Sequence, residues 1–177
     1  MRIVSGKYRH RLIDYPKNPS ITRPTKDRIR EALFSALGDI NGMIALDLYA
    51  GSGALGLEAL SRGIDYCYFV DNSKEAISVI KKNIESLKIE SRQYCLLNLD
   101  DGKAINHIDK KINLVFLDPP YKEGKYEEII SLLKEKVLDD KYVIVCESDH
   151  ELDFGANNYS LIKKYKYNEI YITILWR

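Results

Sequence analysis

Four aspartates in this 177-residue chain stand where an acid can do chemistry, each closing or following a short apolar run. They are Asp47 in Ile44–Leu48, Asp71 after Tyr66–Val70, Asp100 after Tyr94–Leu97 and Asp118 after Ile112–Leu117. Any one could simply form a turn, but four, one per run, have the pattern of a site. The last opens the tetrapeptide Asp118-Pro119-Pro120-Tyr121. Pro119 has no backbone N–H and a fixed φ, so its carbonyl and the aspartate make a stiff pair of acceptors beside a flat ring. That combination suits a planar base carrying an exocyclic amine. An Asp-Pro exit can also be only the end of a strand, so the rest of the chain must decide.

The first run is followed by Gly51-Ser52-Gly53-Ala54-Leu55-Gly56, a glycine spacing that lets a backbone approach a nucleotide-like ligand where a strand turns into a helix. Asp71 lies 20 residues after Gly51, where an acid accepts two ribose hydroxyls. A dinucleotide and S-adenosylmethionine (SAM) both fit this pattern. Asp47, four residues before Gly51, argues for SAM. A pyrophosphate at that helix N-terminus would meet a like charge, whereas SAM brings an ammonium and a sulfonium. Asp100 and Asp101 are adjacent, and either could receive the amino group of an adenine.

The elements that must position these residues alternate. Ile44–Leu48, Tyr66–Val70, Tyr94–Leu97, Ile112–Leu117 and residues 142–146 read as strands, with helices over 54–62, Lys74–Leu87, a short turn near 102–107, and Tyr126–Lys136. Such alternation predicts a parallel sheet with helices on both faces and ligands at the carboxyl ends of the strands. The chain closes with runs 160–165 and Ile170–Trp176 facing each other across Tyr167-Asn168-Glu169, a hairpin that adds antiparallel strands. The expected fold is therefore α/β: a mostly parallel seven-stranded sheet with a C-terminal antiparallel hairpin.

Ahead of this unit lies a basic arm. Residues 1–30 carry nine Lys or Arg against Asp14 and Asp27, a net +7, while the remainder is −6. A basic arm on an acidic body suits a polyanion. Arg2–Ser5 can pair with Arg11–Ile13 across Gly6, and Tyr8 and His10 sit among Lys7, Arg9 and Arg11 as in binders of single-stranded RNA. Thr25 reads as the N-cap of a helix containing Ile29, Leu33, Phe34 and Leu37 on one face, with Arg28 and Arg30 off it and Gly38 and Gly42 closing it. The division expected is 1–42 for the hairpin-and-helix extension and 43–177 for the α/β domain. Cys67, Cys95 and Cys146 each lie in an apolar run and read as buried thiols, not as a disulfide set or zinc site. With 45% hydrophobic and 30% charged residues, and with no signal peptide or spanning segment, the reading is a soluble, cytoplasmic protein.

The set Leu46-Asp47-Leu48-Tyr49-Ala50-Gly51-Ser52-Gly53, Asp71 and Asp118–Tyr121 resembles the class I SAM-dependent methyltransferases that act on exocyclic amines. Residues 2–7, Arg23-Pro24-Thr25 with Arg28, Arg30, Glu31, Leu33 and Phe34, and residues 51–63 resemble the RsmD family. That family methylates the N2 amine of one guanine in 16S ribosomal RNA. The resemblance implies a Rossmann-like methyltransferase fold that needs SAM and no metal. It implies cofactor contacts from Asp47, Tyr49, Ala50, Gly51, Gly53, Asp71 and Asn72, with Asp100 toward adenine. It implies that Asp118, Pro119, Pro120 and Tyr121 hold the target guanine. Arg2, Lys7, Arg9, Arg11, Arg23, Thr25 and Arg28 would meet the RNA, within an assembling small ribosomal subunit. Two positions depart from the family pattern: Asn98-Leu99-Asp100-Asp101 stands where Gly-Asp-Ala is usual, and Asp71 replaces the more usual Glu. The neighbouring alternative is an adenine-N6 methyltransferase on DNA or RNA, since the same acceptors fit that amine.

Overall fold

The computed structural model describes residues 1–16, 27–119 and 125–177. Strands β1 (Ile44–Leu48), β2 (Tyr66–Val70), β3 (Tyr94–Leu97), β4 (Ile112–Leu117), β5 (Leu138–Ser148), β6 (Leu161–Tyr167) and β7 (Ile170–Trp176) form one sheet in the order β3-β2-β1-β4-β5-β7-β6. The first five are parallel and β7 joins β5 and β6 antiparallel. Helices α1 (Asp27–Leu37), α2 (Ala54–Ser61), α3 (Lys74–Leu87), α4 (Asp101–Ile105) and α5 (Tyr126–Lys136) complete the expected α/β architecture.

The central strands are continuous apolar runs because both their faces are covered. Leu114, Val115 and Phe116 of β4 are all fully buried. The period-two alternation of the strands sorts the core into two layers. Ala45, Phe116 and Val145 face a core shared with α1, α2 and α3; Leu46, Leu117 and Ile144 face one shared with α4 and α5.

Two elements run longer than their apolar signals. β5 begins at Leu138, because β4 and β5 keep pairing across an irregularity between Ile112↔Leu138 and Leu114↔Val143. The exposed Asp139, Asp140 and Lys141 are carried in that irregularity, which hides the strand from a hydrophobicity pattern. β6 continues through Lys166 and Tyr167, and Asn168 makes the turn at φ 57°, a conformation asparagine tolerates.

The basic arm is part of the core. Arg2 bridges Leu12 antiparallel, and the Ile3 N–H donates to the Arg11 carbonyl at 2.9 Å. Ile3, Ile13, Ile29, Leu33 and Phe34 share one buried cluster with Leu57 and Leu60 of α2. Fully burying Ile3 alone is worth roughly 1.5–3 kcal/mol. Gly6 is required at this junction: at φ 79° a Cβ would sit 1.9 Å from the Ser61 carbonyl oxygen. The Lys7 N–H donates to that same oxygen at 2.7 Å.

Glu58, fully buried in α2, clamps the arm. It accepts the Val4 and Ser5 N–H groups at 2.8 and 3.0 Å and pairs with Arg62 at 2.8 Å and Arg30 at 3.4 Å. This corrects two expectations. Arg30 is fully buried, not off the packed face of α1, because Glu58, Asp27 and the Arg2 carbonyl surround its guanidinium. Tyr8 is buried in the junction, with its N–H donating to Ser61 Oγ at 2.9 Å, so its ring is not displayed for stacking. α1 ends at Leu37 with Gly38 at φ 77°, as its glycine predicts; the Thr25 cap lies outside the described residues. The three cysteines are free, Cys67 and Cys146 buried and Cys95 half-buried.

Candidate active site

The turn after β1 is built from left-handed backbone: Tyr49 at φ 67°, Gly51 at 57° and Gly53 at 75°. The Ala50 N–H donates to the Val70 carbonyl at 2.9 Å and the Gly53 N–H to the Ala50 carbonyl at 2.7 Å, which folds the turn back against β2. At Gly56 a Cβ would lie 2.4 Å from Phe69 and 2.8 Å from Cys67, so this glycine lets α2 press onto β2.

Asp71 braces the turn. Its Oδ2 accepts the Gly51 N–H at 2.9 Å and its Oδ1 the Ser73 N–H at 2.8 Å. Each carboxylate oxygen keeps a further lone pair, and the side chain remains half-buried at the strand end. Asn72 beside it is exposed.

Asn83 ties this turn to the arm. Its amide donates to the Ser52 and Asp14 carbonyls at 3.2 and 3.0 Å, and its oxygen accepts the Asp14 N–H at 2.7 Å. Nothing in the sequence reading singled it out; the available signal was an amide within the apolar face of α3.

The two central acids are enclosed. Asp47 is 3% exposed, with Oδ2 accepting the Gly56 N–H at 2.9 Å. Burial pushes its carboxyl up from 3.8 to about 7, repulsion from Asp71 adds to this, and the Gly56 hydrogen bond opposes it. Asp118 keeps part of its surface open but is packed round by protein. Burial raises its carboxyl well above the carboxylate range, and Glu147 and Asp47 push it further. Pro119 is buried behind it; Pro120 and Tyr121 lie outside the described residues.

Of the adjacent acids at α4, Asp101 accepts the Tyr49 hydroxyl and its own segment's Gly102 N–H at 2.6 Å. Asp100 keeps its side chain 60% exposed, with Lys103 at 3.8 Å. Asp100 is thus the one turned to solvent at the strand end. Among the arm residues, Arg2 pairs with Asp27 at 3.3 Å, Arg11 donates to the Ser86 carbonyl at 2.7 Å, and Lys7, Arg9 and Arg28 are exposed. Arg23 and Thr25 lie outside the described residues. The surface hollow lined by Glu127, Lys134, Phe154 and Tyr159 shares no residue with this site.

A doubly covered sheet of this order, with a glycine turn and acids at its carboxyl edge, defines a Rossmann-like methyltransferase fold. The yhhF protein of Escherichia coli superposes with a TM-score of 0.86 over 100% of this chain and 97% of its own, at 33% identity. A family model described as "Conserved hypothetical protein 95" matches residues 1–176. The ribosomal RNA small subunit methyltransferase D of Escherichia coli K12 is 37% identical over 153 residues, 85% of this chain and 76% of that protein. Its namesake from Haemophilus influenzae is 36% identical over 169 residues, 93% of this chain and 87% of its own. The chain belongs to this family, the RsmD family of methyltransferases.

Proposed function

We propose that this protein transfers a methyl group from SAM to the exocyclic N2 amine of a guanine in small-subunit (16S) ribosomal RNA. The observation that carries the reading is the pair of enclosed acids, Asp47 and Asp118, on adjacent strands beside the glycine turn. Among the described residues neither is paired with a cation, and burial lifts both carboxyls. A buried carboxylate stays ionised only against a cation or strong donors. SAM carries an ammonium and a sulfonium, and an exocyclic amine carries two N–H donors, so the residues fit the group. The names of the family's ribosomal RNA methyltransferases supply the substrate class.

When bound, SAM supplies a methyl group already activated by its sulfonium. The chain's task is then to position and polarise. Asp47 would hold the ammonium, directly or through a water, together with Tyr49, Ala50, Gly51 and Gly53, while Asp71 and Asn72 would hold the ribose and Asp100 the adenine. The target base leaves its stack, at a cost of a few kcal/mol that is least at an unpaired site. The Asp118 carboxylate and the Pro119 carbonyl accept the N2 hydrogens and stabilise the positive charge that builds on that nitrogen. Pro120 and Tyr121 join in holding the base, Tyr121 by stacking on it. The arm supplies phosphate contacts through Lys7, Arg9, Arg11 and Arg28, joined by Arg2, Arg23 and Thr25. Among the described residues no helix is long and apolar enough to cross a membrane, and the proposed place of action is the cytoplasm, on an assembling ribosomal particle.

The test is methyl-labelled SAM with small-subunit rRNA and with partly assembled particles from cells lacking this protein, followed by separation of the nucleosides. Label in N2-methylguanosine is expected. Label in a methyladenosine would replace the reading with adenine-N6 transfer, and SAM binding without transfer to either substrate would overturn it.

A further inference from the structure

The cations at the tip of the basic arm sit far from the acids. α2 and α3 start at the carboxyl edge of the sheet, after β1 and β2, and end at the amino edge, before β2 and β3. The arm's tip is fixed to those far ends. The Lys7 N–H donates to the carbonyl of Ser61, the last residue of α2, and the Arg11 guanidinium to that of Ser86, one residue before the end of α3. α3 is 14 residues long, about 21 Å. Lys7, Arg9 and Arg11 therefore grip a polyanion roughly one helix length below Asp118, and the RNA beside the target base needs contacts from elsewhere.

The C-terminal hairpin is a second basic island. Residues 160–177 carry Lys163, Lys164, Lys166 and Arg177 against Glu169, a net +3, while residues 31–159 are −9. β6 is the edge strand, beside β7. Leu117 of β4, Cys146 of β5, Thr173 of β7 and Lys164 of β6 follow one another across the sheet. β6 runs parallel to β4, so Asp118 and Tyr165, each one residue further on, are level and three interstrand spacings apart, roughly 14 Å. Lys166 and Tyr167 continue past the carboxyl edge. Tyr165 and Tyr167 pack against the same cluster as the arm's Ile3 and Ile13, on the α1 side of the sheet. Their rings lie within 14° of parallel with centroids 6.3 Å apart, and each is half-buried, held by the core yet partly open to solvent. By alternation Lys163 shares that side, its ammonium 5.2 Å from the centre of the Trp176 ring. Lys164 and Lys166 face the other side, Lys164 paired with Glu151 at 3.0 Å and Lys166 4.9 Å from the Tyr171 ring centre. All three lysines are exposed.

Lysines on an edge strand also keep sheets from pairing edge to edge. That role needs no ring pair beside them. Rings interleaved with cations, on the edge of the sheet where the acids lie, match bases and phosphates of an unpaired strand. We infer that β6 and its turn form a second RNA-contact surface flanking the target base: Lys163 and Lys166 meet phosphates, and the Tyr165–Tyr167 pair stacks on an unpaired base of the same RNA. The RNA runs along the open edge of β6, where side chains from both faces reach it. This rests on the rRNA reading above and is indifferent to which base is methylated.

The test measures binding of small-subunit rRNA, and of partly assembled particles from cells lacking this protein, over a range of salt and without SAM. Lys163→Gln with Lys166→Gln should flatten the slope of log affinity against log salt by about 1.4, two phosphates at ~0.7 each for a single strand. Tyr165→Leu with Tyr167→Leu keeps the apolar contact with the core and should weaken binding ~5- to 150-fold with the slope unchanged. SAM titration of both variants should match the unaltered protein, a readout that a folding defect would move. Benzoylphenylalanine placed at Tyr167 should cross-link to rRNA on irradiation of the particle complex. Unchanged affinity and slope in both variants, or cross-linking to ribosomal protein alone, would overturn the inference. Self-association of the lysine variant with unaltered RNA affinity would leave the lysines as edge guards and overturn it as well. Failure of methyl transfer with these binding results intact would overturn only the proposed function, and failure of the unaltered protein to bind either RNA would overturn both.

Discussion

SAM affinity should depend on pH through Asp47. Its carboxyl is pushed up to about 7, chiefly by burial, so the free protein holds Asp47 largely protonated below neutrality. A cationic ligand needs the ionised form. The apparent affinity then scales with the ionised fraction, about 3% at pH ~5.5 and about 75% at pH ~7.5, a difference of about 25-fold. The upper limit is set by the ligand, whose α-amino group begins to lose its proton near ~7.7–8.0. The assay is isothermal titration of SAM at about pH 5.5, 6.5 and 7.5, with S-adenosylhomocysteine as the control lacking the sulfonium. Asp47→Asn keeps an oxygen for the Gly56 N–H, which Asp47 accepts at 2.9 Å, and should bind weakly with no such pH dependence. A dissociation constant flat to within about threefold in the unaltered protein, where about 25-fold is expected, would refute the reasoning. The same slope persisting in Asp47→Asn would refute it too.

Four further outcomes follow from the same geometry. A carboxyl whose pKa is higher in the folded than in the unfolded state binds more protons when folded, so Asp47 should lower stability as pH rises from about 4 to about 7; three units are of order 4 kcal/mol, and thermal melts should show Asp47→Asn to be the more stable protein at pH ~7.5. Asp118→Ala should lower turnover by ~10²–10³ or more while SAM titration stays within a few-fold, and near-full activity would remove its role. Gly6→Ala would drive a Cβ to 1.9 Å from the Ser61 carbonyl; it should destabilise by roughly 2 kcal/mol or more, measured by urea unfolding, and weaken RNA binding before SAM binding. Arg9→Glu should lower RNA affinity, spare SAM and flatten the salt dependence, whose slope is about −0.7 to −0.9 per phosphate contacted; salt-independent binding would remove the arm from the interface.

Much of this molecule can be read from the chain because its signals are local. β1, β2, β3 and β4 begin and end where their apolar runs do. Such runs are uninterrupted when both faces of a strand are buried. α3 shows the agreement of several local signals: Ser73 caps it, accepting the Ala76 N–H at 3.3 Å, and Glu75 sits in its first turn. The glycines of the first turn also announced themselves, since left-handed backbone and close helix–strand contact exclude most other residues. What failed to show was charge whose partner is distant in the chain. Arg30 and Tyr8 looked like surface chemistry in a basic arm, and only the fold brings Glu58 and Ser61 against them. Glu147 was passed over although it follows an apolar run just as Asp118 does.

The sequence by itself determined the alternation of strands and helices, the glycine turn and the acids at strand ends, because each depends on residues within a few positions of one another. Only the tertiary structure decided which acids meet. Parallel pairing of β1, β4 and β5 sets Asp47, Asp118 and Glu147 on one side of the sheet, although up to a hundred residues separate them along the chain. Their burial, and with it the raised carboxyls of Asp47 and Asp118, comes from atoms those distant elements bring together. An aspartate's charge state is a property of its surroundings, and the surroundings exist only once the sheet has closed.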